Sequence, residues 1–567
     1  MGVNRELTEK MPPQSASITD LDDYRKRGGE STEVRGLAFT DLGNGQRFAR
    51  DHGGNTRYVE DMGKQKWLVW TPQDSDPATV ADYVDDAPVA SVERIHGGGH
   101  WRLDRTGEVM RLAKGTCEAI RDEKSAADSP EDFINLRSKH YYQTQERKGL
   151  MSMLALAQSE RPIPATPEDF DKDPLLLNCR NGTLELNFDG KPVFRAARRE
   201  DMLTKRIPVA YDLEATAPTW VSFLNRVMGF KEAHEIKDEA ERTKALEAVN
   251  SLMSFLARAV GLSLTGIIND RAVFILYGSG ANGKTIFIET IRSLLGADFT
   301  TVMPVEALLA GKAGSAGIPT DIADLRGKRF AIASETNEND RLSLAKLKRL
   351  SGGDMLTGRQ LYGQKFDFHP THHLWLATNH KPNMRGATKA VFDRLKLVPF
   401  KVRIPESEQV PSEELKAELR SELPGILNWA LAGLQDWWAN GLSAPAEVTN
   451  ETSSWEKDDD LLLHFLDECT ERKGGAQETK ASMYNAWVAY CKDRNEFYGS
   501  QTRFSQWMVE HEIEEGRTNR ARFWKNIRLA SGLSYGGPTN EKAHEQSQRA
   551  QQGNSDFWKT SGEQDPE

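Results

Sequence analysis

Residues 272–295 read AVFILYGSGANGKTIFIETIRSLL, and the fold class turns on them. The apolar run at 272–277 is long enough for a buried strand and too short for a helix. GSGANGKT follows at once, from Gly278 to Thr285, and matches GxxxxGK[ST]. A helical pattern then places Ile286, Ile288, Ile291, Leu294 and Leu295 on its apolar positions. Strand, glycine loop and helix in that order make an α/β unit with a phosphate cradle at its turn. Gly278, Gly280 and Gly283 let the backbone come close to a polyphosphate, with Ser279, Ala281 and Asn282 completing the loop. The helix turns its positive end to the same place. Lys284 is expected to reach the outer phosphates and the Thr285 hydroxyl to take one place on Mg²⁺, so a nucleoside triphosphate, ATP, is the expected ligand.

Two more apolar runs follow. Residues 328–333, KRFAIA, read as a buried strand and end in Ser334-Glu335-Thr336. A carboxylate at such a strand end can hold Mg²⁺ through water and polarise an attacking water. Glu335 is the residue assigned to this, with Glu338 as a second acid. Residues 374–377, LWLA, read as a third strand and end in Thr378-Asn379. Asn379 either senses the γ-phosphate and orients the water, or belongs to a simple turn, NHKPN. Between these strands, residues 357–362 and 365–368 read as extended stretches of a hairpin around Tyr362-Gly363-Gln364. Arg359, Tyr362 and Lys365 at its tip offer a ring for base stacking and cations for phosphate, unless the hairpin is only solvated. His369, His372 and His373 do not make a metal site, because adjacent strand residues point to opposite faces. They are expected to be polar residues at a strand end.

Composition sets outer limits. The 567 residues suit three or four domains, with 38% hydrophobic and 28% charged residues as in ordinary water-soluble chains. The net charge of −10 excludes a uniformly basic coat but not a local basic channel. No unbroken apolar run nears membrane-spanning length, so no membrane partner is expected. Cys117, Cys179, Cys469 and Cys491 are far apart and fit a reducing cytoplasm.

Strands ending in GKT, SE and TN, packed into so short a stretch, resemble a superfamily 3 helicase of the kind fused to primases in phages, plasmids and poxviruses. The resemblance rests on GSGANGKT, KRFAIASET, RLSGGDMLTGRQLYGQKFDFHPTHHLWLATNHKP and AVFDRLKLVPF, with LLLNCRNGTLEL, LTKRIPVAYD and ELPGILNWALAGLQDWW outside them. It implies an AAA+-like P-loop NTPase in a homo-hexameric ring, with single-stranded or forked DNA threaded through the centre. It also implies that the hairpin at Lys365 is the channel grip, and that Arg394 is an arginine finger acting on a neighbour's γ-phosphate. The host would be a bacterium carrying a phage, prophage or plasmid. The alternatives are an ATPase that packages or remodels without unwinding, and an origin-binding platform using ATP as an assembly switch.

The rest of the chain is parsed around this core. Residues 1–35 and 531–567 are polar, without periodicity, and are expected to be disordered. Residues 36–212 read as an α+β domain, with 71–99 an inserted loop splitting a hairpin of 67–70 and 100–103. Residues 213–266 read as a helical bridge, 267–405 as the ATPase core and 406–455 as a helical connector, whose Trp429, Trp437 and Trp438 are taken as core. An acidic hinge at 456–460 leads to three helices and a basic two-stranded ribbon, a winged-helix pattern at 456–530. Arg517, Arg520 and Arg522 there are expected to face phosphate. No folded domain is expected within residues 1–35, so primer synthesis is expected to belong to a separate primase or replication partner.

Overall fold

The structure is a computed structural model of the chain, and it describes residues 37–61, 64–71, 99–123, 130–188, 191–310, 320–334, 341–359, 363–384, 387–494, 498–517 and 522–530. The expectations placed on 1–35, 72–98 and 531–567 lie outside these. Two compact units are formed, the first mainly from residues up to 211 and the second mainly from 212 onward.

In the first unit, α1 (Asp41–His52) precedes β1 (Thr56–Asp61), β2 (Lys64–Thr71) and β3 (His100–Leu103). Helices α2 (Glu108–Arg121), α3 (Pro130–Gln145) and α4 (Arg147–Ala157) follow, then β4 (Pro164–Ala165). The sheet order is β3-β2-β1-β4. The expected pairing of 67–70 with 100–103 is present, Trp70 standing opposite Trp101. Sequence reading missed β1, whose alternation is broken by charged residues. Phe48, Val69, Ala113 and Met153 share one core. Strands β5 (Leu176–Cys179), β6 (Gly182–Glu185) and β7 (Val193–Arg195) form a separate meander.

The second unit opens with α5 (Pro218–Met228), α6 (Phe230–His234) and α7 (Glu239–Ser263). By length and composition α7 could cross a membrane, but its apolar half is buried. It is also fixed from its flank, where Arg258 bonds Asp436 at 2.6 Å. The central elements are β8 (Val273–Tyr277), α8 (Lys284–Phe299, broken at Gly296), β9 (Thr300–Met303), α9 (Thr320–Ala323), β10 (Phe330–Ser334) and α10 (Leu344–Ser351). A two-stranded sheet of β11 (Leu356–Arg359) and β12 (Lys365–Phe368) comes next. Then come β13 (His373–Thr378), α11 (Lys389–Phe392) and β14 (Leu395–Pro399).

The five-stranded sheet runs β14-β8-β13-β10-β9 with every neighbouring pair parallel. Parallel strands buried on both faces need continuous apolar runs, and VFILY, FAIAS and HLWLAT supply them. Trp375 lies against Phe274 at 4.5 Å, Phe330 at 5.1 Å and Phe287 of α8 at 6.0 Å. Trp220 of α5 extends this aromatic layer by stacking on Phe287 at 5.5 Å.

Helices α12 (Ser412–Ser421), α13 (Leu423–Asn440) and α14 (Ala446–Asp458) make the connector. Trp437 is buried as expected, whereas Trp429 and Trp438 are half-buried. Residues 456–458, expected in a hinge, are the last turn of α14, leaving Asp459 and Asp460 to join the next domain. That domain runs α15 (Leu461–Cys469), β15 (Thr470–Thr479), α16 (Lys480–Asp493), α17 (Gln501–Glu510), β16 (Glu515–Arg517) and β17 (Arg522–Leu529). The expected two-stranded ribbon is a three-stranded antiparallel sheet, β15-β17-β16. TERKGGAQET has no apolar alternation, so β15 owes its strand form to pairing with β17, whose Trp524 and Ile527 are core.

His373 opens β13 with His372 just before it, at a strand end as expected, and both are buried, His372 1% and His373 3% exposed. Burial pulls their pKa values down to about 4 and about 3, helped at His373 by its neighbour. Both are therefore neutral in the fold and titrate near 6.5 when unfolded. Their contribution is complete above about pH 6.5 and is lost as pH falls toward 4. The denaturant midpoint should drop between pH 7.5 and 5.5, by roughly 1 kcal/mol for each histidine. A His372→Asn/His373→Asn chain with the same drop as the parent would refute this.

Candidate nucleotide site

The loop after β8 has little freedom. A Cβ on Gly278 would stand 2.2 Å from both Asn282 Nδ2 and the Phe400 carbonyl oxygen, so the Asn282 amide can pass beneath the loop only if residue 278 is glycine. Gly283 has φ +86°, and a Cβ there would come within 2.6 Å of Val227 on α5. With the chain turned this way, α8 begins at Lys284 directly after the loop.

Asn282 is 3% exposed. Its Nδ2 donates to the Phe400 carbonyl at 3.0 Å, and its Oδ1 accepts from Lys284 Nζ at 3.0 Å. Lys284 also donates to the Gly278 carbonyl at 2.6 Å and to Asn379 Oδ1 at 3.0 Å. All three of its N–H donors are thereby engaged. Burial lowers its pKa to about 8, which still leaves it charged at neutral pH. Asn379 and Thr285 are both exposed. An incoming oxyanion could displace the exposed Asn379 from Lys284 more easily than the buried Asn282.

Register explains why Lys284 and Asn379, 95 residues apart, meet. Thr378 stands opposite Tyr277, and Ser334 opposite Ala377, so β8, β13 and β10 end in one row. Ligands of open parallel sheets bind outside the carboxyl ends of the strands. Glu335 and Glu338 follow β10 in sequence but lie outside the described residues.

Arg394 sits at the opposite edge of the sheet. Its carbonyl accepts from Val273 N, at the start of β8, at 2.8 Å. Its Nη1 reaches the Lys348 carbonyl and Ser351 Oγ, each at 3.3 Å, at the end of α10. Five strand residues separate the two edges, about 17 Å. Arg394 therefore does not join Lys284 and Asn379 within one chain.

The other expected residues lie elsewhere. Arg359 closes β11 and Lys365 opens β12, both exposed. Tyr362 is outside the described residues. Thr357 Oγ1 donates to Asp367 Oδ1 at 2.6 Å across this hairpin. Arg517 and Arg522 are cross-strand partners and both exposed, an arrangement that costs energy without an anion nearby. Arg520 is outside the described residues. Among the described residues no group of histidine, cysteine and acidic side chains could hold a metal ion by itself. Sequence reading gave Asn282 only as a loop position; its buried amide depends on Phe400, 118 residues away, and has no local signal.

Residues 45–229 match the family described as D5 N terminal like, and residues 276–394 match a family of unknown function, DUF5906. Among curated proteins, the provisionally named helicase L207/L206 of Acanthamoeba polyphaga mimivirus is 25% identical over 238 residues, 39% of this chain and 25% of its own length. The provisionally named helicase 022R of Frog virus 3 is 23% identical over 390 residues, 57% of this chain and 39% of that protein. The chain thus spans between a quarter and two fifths of the length of these relatives. Among solved structures, the C-terminal region of NrS-1 aligns at a TM-score of 0.36 and 10% identity, over 56% of this chain and 66% of that one. The matched segment 276–394 is the one that holds the loop, Lys284, Asn379 and Arg394.

Gly283→Ala should combine a strained φ with a collision at Val227 and cost about 1–3 kcal/mol. Gly280→Ala has φ +95° but nothing within 4 Å, so only the backbone strain of about 1 kcal/mol applies. Denaturant midpoints should rank parent, Gly280→Ala, Gly283→Ala; equal midpoints for the two variants would contradict the contact with α5.

Proposed function

We propose that this chain is an ATP-driven DNA translocase of the superfamily 3 helicase kind, separating strands during replication of a phage, prophage or plasmid. The observation that carries this reading is Lys284 Nζ bonded to Asn379 Oδ1 at 3.0 Å, at the carboxyl edge of an all-parallel sheet. A glycine loop, a buried lysine at a helix start and a polar amide one strand away suit phosphoryl transfer, which needs positioning and charge more than covalent chemistry. The helicase names of the viral relatives and the D5 N terminal like match support the same reading.

In this reading the loop N–H groups and Lys284 bind the phosphates of ATP. Asn379 orients the attacking water, and Glu335 accepts its proton. Thr285, with Glu335 acting through water, would hold Mg²⁺, which supplies positive charge to the phosphate oxygens. Arg394, too far to serve its own loop, stabilises the transition state in the next subunit of a hexameric ring. The hairpin of Arg359, Tyr362 and Lys365 grips single-stranded DNA in the channel. The C-terminal domain acts as a winged helix whose Arg517, Arg520 and Arg522 face duplex phosphates, and a separate primase supplies primers.

The deciding experiment is ATP-dependent separation of a forked duplex by the purified chain. Lys284→Ala should lose ATP binding, because the phosphates lose their buried cation. Lys365→Ala should keep basal ATP hydrolysis and ring assembly but lose strand separation. If Lys365→Ala unwinds as well as the parent, the hairpin is not the grip.

Arg394→Ala should bind ATP normally and hydrolyse it at least tenfold more slowly. Rings mixed from Arg394→Ala and Lys284→Ala subunits should regain part of the lost rate. No recovery in rings shown to mix would exclude a role in trans.

A further inference from the structure

Asn379 is an exposed side chain on a segment without regular secondary structure, yet it bonds Lys284. Packing of its own side chain cannot fix its position, so the backbone of residues 379–384 must be fixed by other means. Leu342 N does so in part by donating to the Asn383 carbonyl at 3.0 Å, and three groups on one short stretch, the end of α14 and the turn after it, hold the residues on either side. Trp455 Nε1 donates to the Pro382 carbonyl at 3.1 Å, and Asp459 Oδ1 accepts from Met384 N at 2.8 Å. Lys381 Nζ reaches Asp458 Oδ2 at 3.3 Å.

The first two bonds are sheltered. Trp455 is 2% exposed, and its ring also meets Phe392 edge-on at 5.6 Å. Met384 is wholly buried, so its N–H has little access to water and depends on the Asp459 oxygen. On the other side, Thr378 Oγ1 donates to the His380 carbonyl at 2.7 Å. Residue 379 is therefore held between β13 behind it and α14 ahead of it.

We propose that Asp459 and Trp455 are positioning residues for Asn379, making the end of α14 part of the nucleotide site. The proposal rests on the function assigned above and adds a regulatory consequence to it. Asp460, the next residue, accepts from the N–H groups of Leu462 and Leu463 at 3.0 Å and pairs with His511 Nε2 at 2.6 Å. The turn that supports Asn379 thus also begins α15 and holds the residue that ends α17. A load on the C-terminal domain pulls on the support of Asn379.

The test separates the acceptor from the shape. Asp459→Asn keeps an oxygen for Met384 N, whereas Asp459→Leu keeps the outline and removes it. In the full chain, steady-state ATP hydrolysis and binding of a fluorescent ATP analogue are measured alongside the thermal midpoint. Asp459→Leu should lower kcat at least fivefold with analogue affinity within threefold of the parent, and Asp459→Asn should restore kcat to within twofold. Trp455→Phe, which keeps the buried ring and loses the N–H, should lower kcat in the same direction. Parental kcat in Asp459→Leu, or no rescue by Asp459→Asn in a folded chain, would overturn the positioning role. Absence of hydrolysis in the parent would instead overturn the assigned function.

Discussion

A buried ammonium group needs a partner for each of its protons, and the second unit is arranged so that Lys284 has three. One acceptor comes from the loop backbone at Gly278, one from the Asn282 side chain and one from Asn379 beyond β13. The last exists only because β13 is parallel to β8 in the register that sets Thr378 beside Tyr277. A slip of one residue would turn every side chain of β13 to the other face and carry Asn379 away. The hydrophobic pattern forbids that slip, since Trp375 would leave Phe274, Phe287 and Phe330 for the opposite face. The core thereby sets the geometry of the site.

How much of this could be read from the chain follows from how local each signal is. The strand–loop–helix around GSGANGKT, the strands before Ser334 and Asn379, and the hairpin bearing Lys365 were legible because each shows its pattern within a dozen residues. The strand order was not, because pairing of β8 with β13 and β14 joins segments about a hundred residues apart. Strand β15 was illegible for a related reason: its residues are polar, and its partner β17 brings the apolar side chains. The bond from Asn282 to Phe400 and the support of residues 382–384 by α14 leave no trace in local sequence. A buried amide and a surface amide are the same letter.

Three buried ionisable groups, two at the start of β13 and one beside its end, show where the fold accepts a cost. At its start, His372 and His373 sit among apolar side chains and give up their charge, with pKa values near 4 and 3. A neutral imidazole is cheaper to bury than a charged one, and the main chain at Leu350 and Ile267 lies within reach of the two rings. At its end, Lys284 is desolvated too, but three oxygens converge on it and it keeps its proton at neutral pH. Removing it would spare that desolvation but leave the buried Asn282 oxygen without its donor, so the lysine and its acceptors hold one another in place. Lys284 stands at the helix start, beside an exposed hydroxyl and an exposed amide. The two ends of β13 thus treat buried charge differently: the amino end gives it up, and beside the carboxyl end it is kept, held by three oxygens.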